Sequence, residues 1–194
     1  MTDYDASTAL IVVDVQNDFA DPNGSLYVSE GERVVPLVND EIRRAQAAGA
    51  LVVYTQDWHP ESTPHFAKDG GIWPVHCVHD TWGAEFHPDL EVVGDVVRKG
   101  TDGQDGYSGF TVRDPSSGET ESTRLESILR DRGVERAVVV GLATDYCVKE
   151  TAIDSARKGF ATVVLTDAIR AVDLEAGDGE RALQSMTSAG AEIV

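Results

Sequence analysis

Val138-Val139-Val140-Gly141-Leu142-Ala143-Thr144-Asp145-Tyr146-Cys147-Val148-Lys149-Glu150-Thr151-Ala152 divides into two halves with different periods. The first half is an apolar, β-branched run that stops at Gly141, as expected of a strand buried on both faces of a parallel sheet. The second half reads as a helix beginning near Thr144. A strand that runs directly into a helix is half of a β-α-β unit. The junction places Cys147 in the first helical turn, where backbone N–H groups and the positive end of the helix dipole favour thiolate over thiol. Cys147 is therefore a candidate nucleophile.

Working outward, the same alternation recurs. Residues 8–15 read as a buried strand, and 32–48 as a helix carrying Val34, Leu37, Val38, Ile42 and Ala45 on one face before Gly49. Strands are expected at 50–55, 91–97, 136–140 and 161–165, and a short one at 191–194. Helices are expected at 122–132, 144–158 and 178–189, with a short hairpin around 110–114. The pattern predicts an α/β fold, a three-layer sandwich around a mainly parallel six-stranded sheet with right-handed crossovers. With no repeat and no linker-like stretch, residues 1–194 read as a single domain.

In such sheets ligands bind beyond the carboxyl ends of the strands. Asp14 follows the first strand, Asp57 and His59 the second, Lys99 the third, and Cys147 the fourth. One end of the sheet thus collects groups that are far apart in sequence. Asp14 could serve as base for the thiol, and Lys99 could hold Asp14 by an ion pair. Each also has an ordinary structural use, as a turn cap or a solvated strand end. The stretch 57–90 is long, irregular and rich in His, Pro, Gly and Trp, which marks a functional loop. Four of the five histidines lie between positions 59 and 79. Asp57, His59, His65 and His76 are candidate ligands for Zn²⁺, Fe²⁺ or Mn²⁺, while His79 and His87 read as bystanders and Cys77 as a packing residue.

The net charge of −18, from 34 acids against 16 bases, opposes binding to nucleic acid or to an anionic membrane surface. No apolar run reaches the length of a membrane span, and the acidic N-terminus lacks a signal-peptide pattern. Two cysteines give no disulfide framework. A cytoplasmic location is the default expectation, and a homo-oligomer is left open.

Asp14-Val15-Gln16-Asn17-Asp18-Phe19, Gln56-Asp57-Trp58-His59-Pro60, Trp73-Pro74-Val75-His76-Cys77-Val78, Arg98-Lys99-Gly100-Thr101-Asp102, Tyr107-Ser108-Gly109-Phe110 and Gly141–Val148 occur in order. Together they resemble the nicotinamidase (pyrazinamidase) branch of the isochorismatase-like cysteine hydrolase superfamily, over almost the whole chain. The resemblance implies a catalytic triad of Asp14, Lys99 and Cys147, and a divalent metal, Zn first and Fe or Mn as alternatives, on Asp57, His59 and His76. His65 stands where the family's further ligand varies. It also implies a cis bond between Leu142 and Ala143, an oxyanion hole from the N–H groups of Ala143 and Cys147, and a ring pocket of Phe19, Trp73 and Tyr107. The reaction implied is hydrolysis of nicotinamide to nicotinate and ammonia, and of pyrazinamide likewise, through a thioester on Cys147. A place in pyridine-nucleotide (NAD) salvage would follow. Rival readings are a carbamoyl-directed amidohydrolase of the same superfamily, a non-catalytic metal-binding relative, and a zinc hydrolase with a structural cysteine.

Overall fold

A computed structural model describes residues 3–194. Its centre is a six-stranded sheet built from β1 (Thr8–Val13), β2 (Leu51–Asp57), β3 (Asp95–Lys99), β6 (Arg136–Leu142), β7 (Ala161–Arg170) and β8 (Glu192–Ile193). The order is β3-β2-β1-β6-β7-β8, and every pair is parallel. The chain starts in the middle, builds outward to β3, then returns to the other side of β1. This reversal between β1 and β6 is the topological switch point at which doubly wound sheets bind ligands.

Every residue of β1 and β2 is buried. Alternate side chains enter opposite cores, as the period of two requires. Leu10 and Val12 join Val34, Val38 and Ile42 of helix α2 (Val34–Ala47) on one face. Ala9, Ile11 and Val13 join Leu125 and Leu129 of α3 (Leu125–Asp131), Ala152 and Ile153 of α4 (Lys149–Arg157), and Ala182 and Met186 of α5 (Asp178–Ser188) on the other. The three layers are as the sequence predicts, with the sheet wholly parallel. A four-residue helix, α1 (Asn17–Ala20), follows β1 and has no periodic signal of its own.

Most element boundaries shift by one or two residues from expectation, and three differ by more. The third strand is Asp95–Lys99, not 91–97. The Tyr54 hydroxyl donates to the Glu91 carbonyl and accepts from the Val93 N–H, so a side chain meets these backbone groups in place of a β2 ladder. Val92 and Val93 are left exposed. The helix expected from 122 starts at Leu125 because Thr120–Ser122 forms strand β5, paired antiparallel with β4 (Thr111–Arg113). The strand expected at 161–165 continues to Arg170, past a register irregularity opposite Gly141.

Gly141 cannot be replaced cheaply. Its φ is +112°, and a Cβ there would sit 2.1 Å from the Val13 carbonyl oxygen. This close approach of β6 to β1 brings the segment after β6 beside Asp14. Among the described residues, no helix is long and apolar enough to cross a membrane.

Candidate active site

Asp14 stands one residue past β1 with a left-handed backbone, φ +47°. Aspartate tolerates this region better than most side chains, and such outliers concentrate at functional sites. Its carboxylate is fully buried, accepts the Thr55 hydroxyl at 2.7 Å, and faces Lys99 Nζ at 2.8 Å. Lys99 reaches it because β3 pairs in register with β2, setting Asp57 opposite Lys99. Asp57 Oδ1 is bound to the same ammonium, and Cys147 Sγ lies 3.5 Å from it. One ligating atom each of Asp14, Asp57 and Cys147 falls within 4.8 Å of the others.

Electrostatics set the protonation states. Burial pushes Asp14 above the usual carboxylate range, against the pull of Lys99. Burial also raises Asp57, but Lys99, with His59 and His76, outweighs it and holds the carboxyl down at about 2. Lys99 is desolvated, yet its two carboxylates keep it firmly charged. The Cys147 thiol is raised well above its ordinary value: burial leads, Lys99 opposes, and Asp14 and Asp57 add to the rise. The resting group is therefore a thiol, not the thiolate expected from the helix dipole. Burial and two neighbouring carboxylates outweigh the cation and the backbone.

The junction also differs in winding. Thr144–Val148 is a π turn that leads into α4, with the Val148 N–H reaching back to the Ala143 carbonyl at 3.1 Å. Such turns are rare and frequent at functional sites. The Leu142–Ala143 peptide is cis.

The histidines converge beside this group. One nitrogen each of His59, His65 and His76 lies within 4.8 Å of the others, and all three side chains are buried. His59 is placed by a short parallel bridge in which its N–H binds the Cys77 carbonyl and its carbonyl takes the His79 N–H. His76 is held by its Nδ1 against the Pro74 carbonyl at 2.7 Å. Gly100, at φ +80°, makes room for His59, since a Cβ would lie 2.6 Å from Nδ1. Burial lowers the His59 pKa to about 4 and lowers His76 too, so both are neutral imidazoles. Neither ring nitrogen of His59 has a hydrogen-bond partner. Leaving such atoms unmet in a protein interior is costly, and three converging imidazoles match the donor set of a borderline divalent cation. These residues fit a metal ion. Asp57 bridges the two groups, its Oδ2 lying 3.9 Å from His59 Nε2 while Oδ1 serves Lys99.

Both groups open into one cavity of about 470 Å³, mouth included. Phe19, Trp73 and Tyr107 line it, as expected. Trp73 Nε1 donates to the Tyr107 hydroxyl at 2.9 Å. Tyr146, edge-on to Trp73 at 4.9 Å, is a further wall that the sequence did not single out. Its place next to Cys147 on the turn was the available signal. Gln16 also escaped a role: its amide donates to the Asp57 carbonyl at 2.7 Å and accepts the Asp57 N–H at 2.8 Å, fixing that strand end. His79 is solvent-facing beside Asp80, and Cys77 is buried.

Comparison with known proteins identifies the family. The isochorismatase domain model matches residues 8–194. A nicotinamidase/pyrazinamidase of Mycobacterium tuberculosis is 41% identical over 191 residues, covering 96% of this chain and 97% of the relative. The crystal structure of the pyrazinamidase of Pyrococcus horikoshii in complex with zinc superposes with a TM-score of 0.86 at 44% identity, over 97% of this chain and 98% of that one. PnC1 from L. infantum in complex with nicotinate gives a TM-score of 0.89 at 34% identity, over 100% and 95% of the two chains.

Proposed function

The chain belongs to the isochorismatase family and, within it, to the nicotinamidases, and on that premise we propose that it hydrolyses nicotinamide to nicotinate and ammonia, and pyrazinamide likewise, through a thioester on Cys147. The observation that carries this reading is that Cys147 and the three-histidine cluster line the same aromatic cavity. A thiol with a buried acid–base partner suits an acyl carbon. An imidazole cluster beside flat aromatic walls suits an aromatic ring with a ligating nitrogen.

His59, His65 and His76, with Asp57, would hold a divalent ion, zinc by analogy with the Pyrococcus relative, which when bound would anchor the pyridine nitrogen as a Lewis acid. Phe19, Trp73 and Tyr107 enclose the ring and orient its carboxamide toward Cys147. Asp14 Oδ takes the Cys147 proton; its raised proton affinity makes it a stronger base than an exposed carboxylate. The sulfur forms a bond to the carboxamide carbon, and the N–H groups of Ala143 and Cys147 hold the oxygen that gains charge. Such donors are worth about 3–4 kcal/mol each. Asp14 returns the proton to the nitrogen as the C–N bond breaks and ammonia leaves. A water deprotonated by Asp14 then attacks the thioester, and the proton passes back to sulfur as nicotinate departs. Lys99 stays charged throughout and orients Asp14.

The test is ammonia release from nicotinamide and pyrazinamide by purified protein, before and after chelator treatment and zinc reloading. Release that falls with the chelator and returns with zinc is expected. Failure of the zinc-loaded protein to release ammonia from either amide would overturn the reading.

A further inference from the structure

The three histidines are not held in the same way. His76 is tied to a carbonyl two residues away, and His59 has no hydrogen-bond partner at either nitrogen. His65 alone is held by a residue distant in sequence: its Nδ1 lies 3.0 Å from Asp105 Oδ1. With Nδ1 engaged as the donor, Nε2 keeps its lone pair free. We propose that Asp105 is a positioning residue of the metal centre, fixing the tautomer and tilt of His65 so that its free nitrogen faces His59 and His76. The proposal rests on the metal site of the preceding subsection.

The carboxylate is itself held firmly. Oδ1 also accepts the Gly106 N–H at 2.7 Å, and Oδ2 accepts Arg113 Nη2 at 3.1 Å. The backbones of Asp105 and Arg113 exchange two hydrogen bonds, at 2.7 and 2.6 Å, which anchors Asp105 to the first strand of the β4–β5 hairpin. A second tie joins the same loops, from the Thr63 hydroxyl to the Gly103 carbonyl at 3.1 Å. The side chain of Asp105 is mostly covered. The hairpin, which adds nothing to the central sheet, thus acquires a purpose: through Arg113 it braces the carboxylate that orients a ligand on the opposite loop. Carboxylate–imidazole–metal arrangements of this kind typically affect metal affinity by about 10- to 100-fold.

A purely structural role, stapling the hairpin through Arg113, makes a different prediction, and a thermodynamic cycle separates the two. Full-length wild type, Asp105→Ala, Asp105→Asn, His65→Ala and the Asp105→Ala/His65→Ala double variant are stripped with a chelator. Each is then titrated with Zn²⁺ against a chromophoric competitor, and the Co²⁺ absorption spectrum is recorded. Thermal unfolding of the metal-free proteins checks the fold, and the isosteric Asp105→Asn keeps the test available should the alanine variant unfold. The expected result is a zinc Kd weakened about 10- to 100-fold in Asp105→Ala, a smaller loss in Asp105→Asn and an altered Co²⁺ spectrum. Adding Asp105→Ala to His65→Ala should cause no further loss. An unchanged Kd in both Asp105 variants, or a loss that adds fully to that of His65→Ala, would overturn the proposal. A wild type that binds neither ion would overturn the metal reading beneath it as well.

Discussion

A single cation, Lys99, faces two buried carboxylates and the thiol of Cys147. Its removal leaves Asp14 and Asp57 confronting each other without compensation, a change that costs about 3–5 kcal/mol when one partner of a buried pair is lost. The pH dependence follows from Asp57. Its folded pKa of about 2 lies below the ordinary 3.8, so its stabilising contribution is complete above that ordinary value and is lost as pH falls toward about 2. Without Lys99 both carboxyls rise, and the folded protein takes up protons instead. Metal-free Lys99→Met should therefore be less stable than wild type by about 3–5 kcal/mol at neutral pH in urea unfolding, and the gap should narrow near pH 5. An equal gap at both pH values would contradict this account. At this scale the sequence was informative about identity and poor on state. Asp14, Lys99 and Cys147 could be picked out as strand-end groups, but the protonation of Cys147 depends on burial by residues remote in sequence.

The π turn at Thr144–Val148 does more than present Cys147. Asp145, within it and buried, accepts the N–H groups of Val172 and Asp173, each at 2.9 Å. Val172 lines the cavity, and the Asp173 carboxylate accepts the Gly179 N–H at 2.8 Å, near the start of α5. The turn, the strap at residues 172–173 and helix α5 form one connected unit beside the cavity. Asp145→Ala leaves two N–H groups without partners, about 1–3 kcal/mol each. Amide exchange at Val172 and Asp173 should speed up, and KM for nicotinamide should rise more than kcat falls. Unchanged exchange at both amides would remove the strap from the site. The buried strands and amphipathic helices were legible because their periods are strong. The third strand was misplaced because Val92 and Val93 look like strand residues, yet the Tyr54 hydroxyl satisfies the backbone around them. The π winding and the β5 strand at Thr120–Ser122 left no periodic trace.

Across the whole molecule, the strand order does the assembling. Reversal between β1 and β6 puts Asp14 next to the turn that carries Cys147, and β2–β3 pairing adds Asp57 and Lys99. The irregular stretch after β2 then folds its histidines over the same end. Convergence at one end of the sheet was legible from strand ends alone. The contact between His65 and Asp105 was not, because two loops 40 residues apart meet there and neither has a regular pattern. The central claim is that the sulfur of Cys147 is the attacking atom. It is tested most directly by the rate of ammonia release from nicotinamide by zinc-loaded Cys147→Ala beside wild type, with zinc content and unfolding midpoint measured on both. The account predicts bound zinc, an intact fold and turnover reduced to background. Substantial turnover by the variant would contradict it and make a directly attacking water the better mechanism.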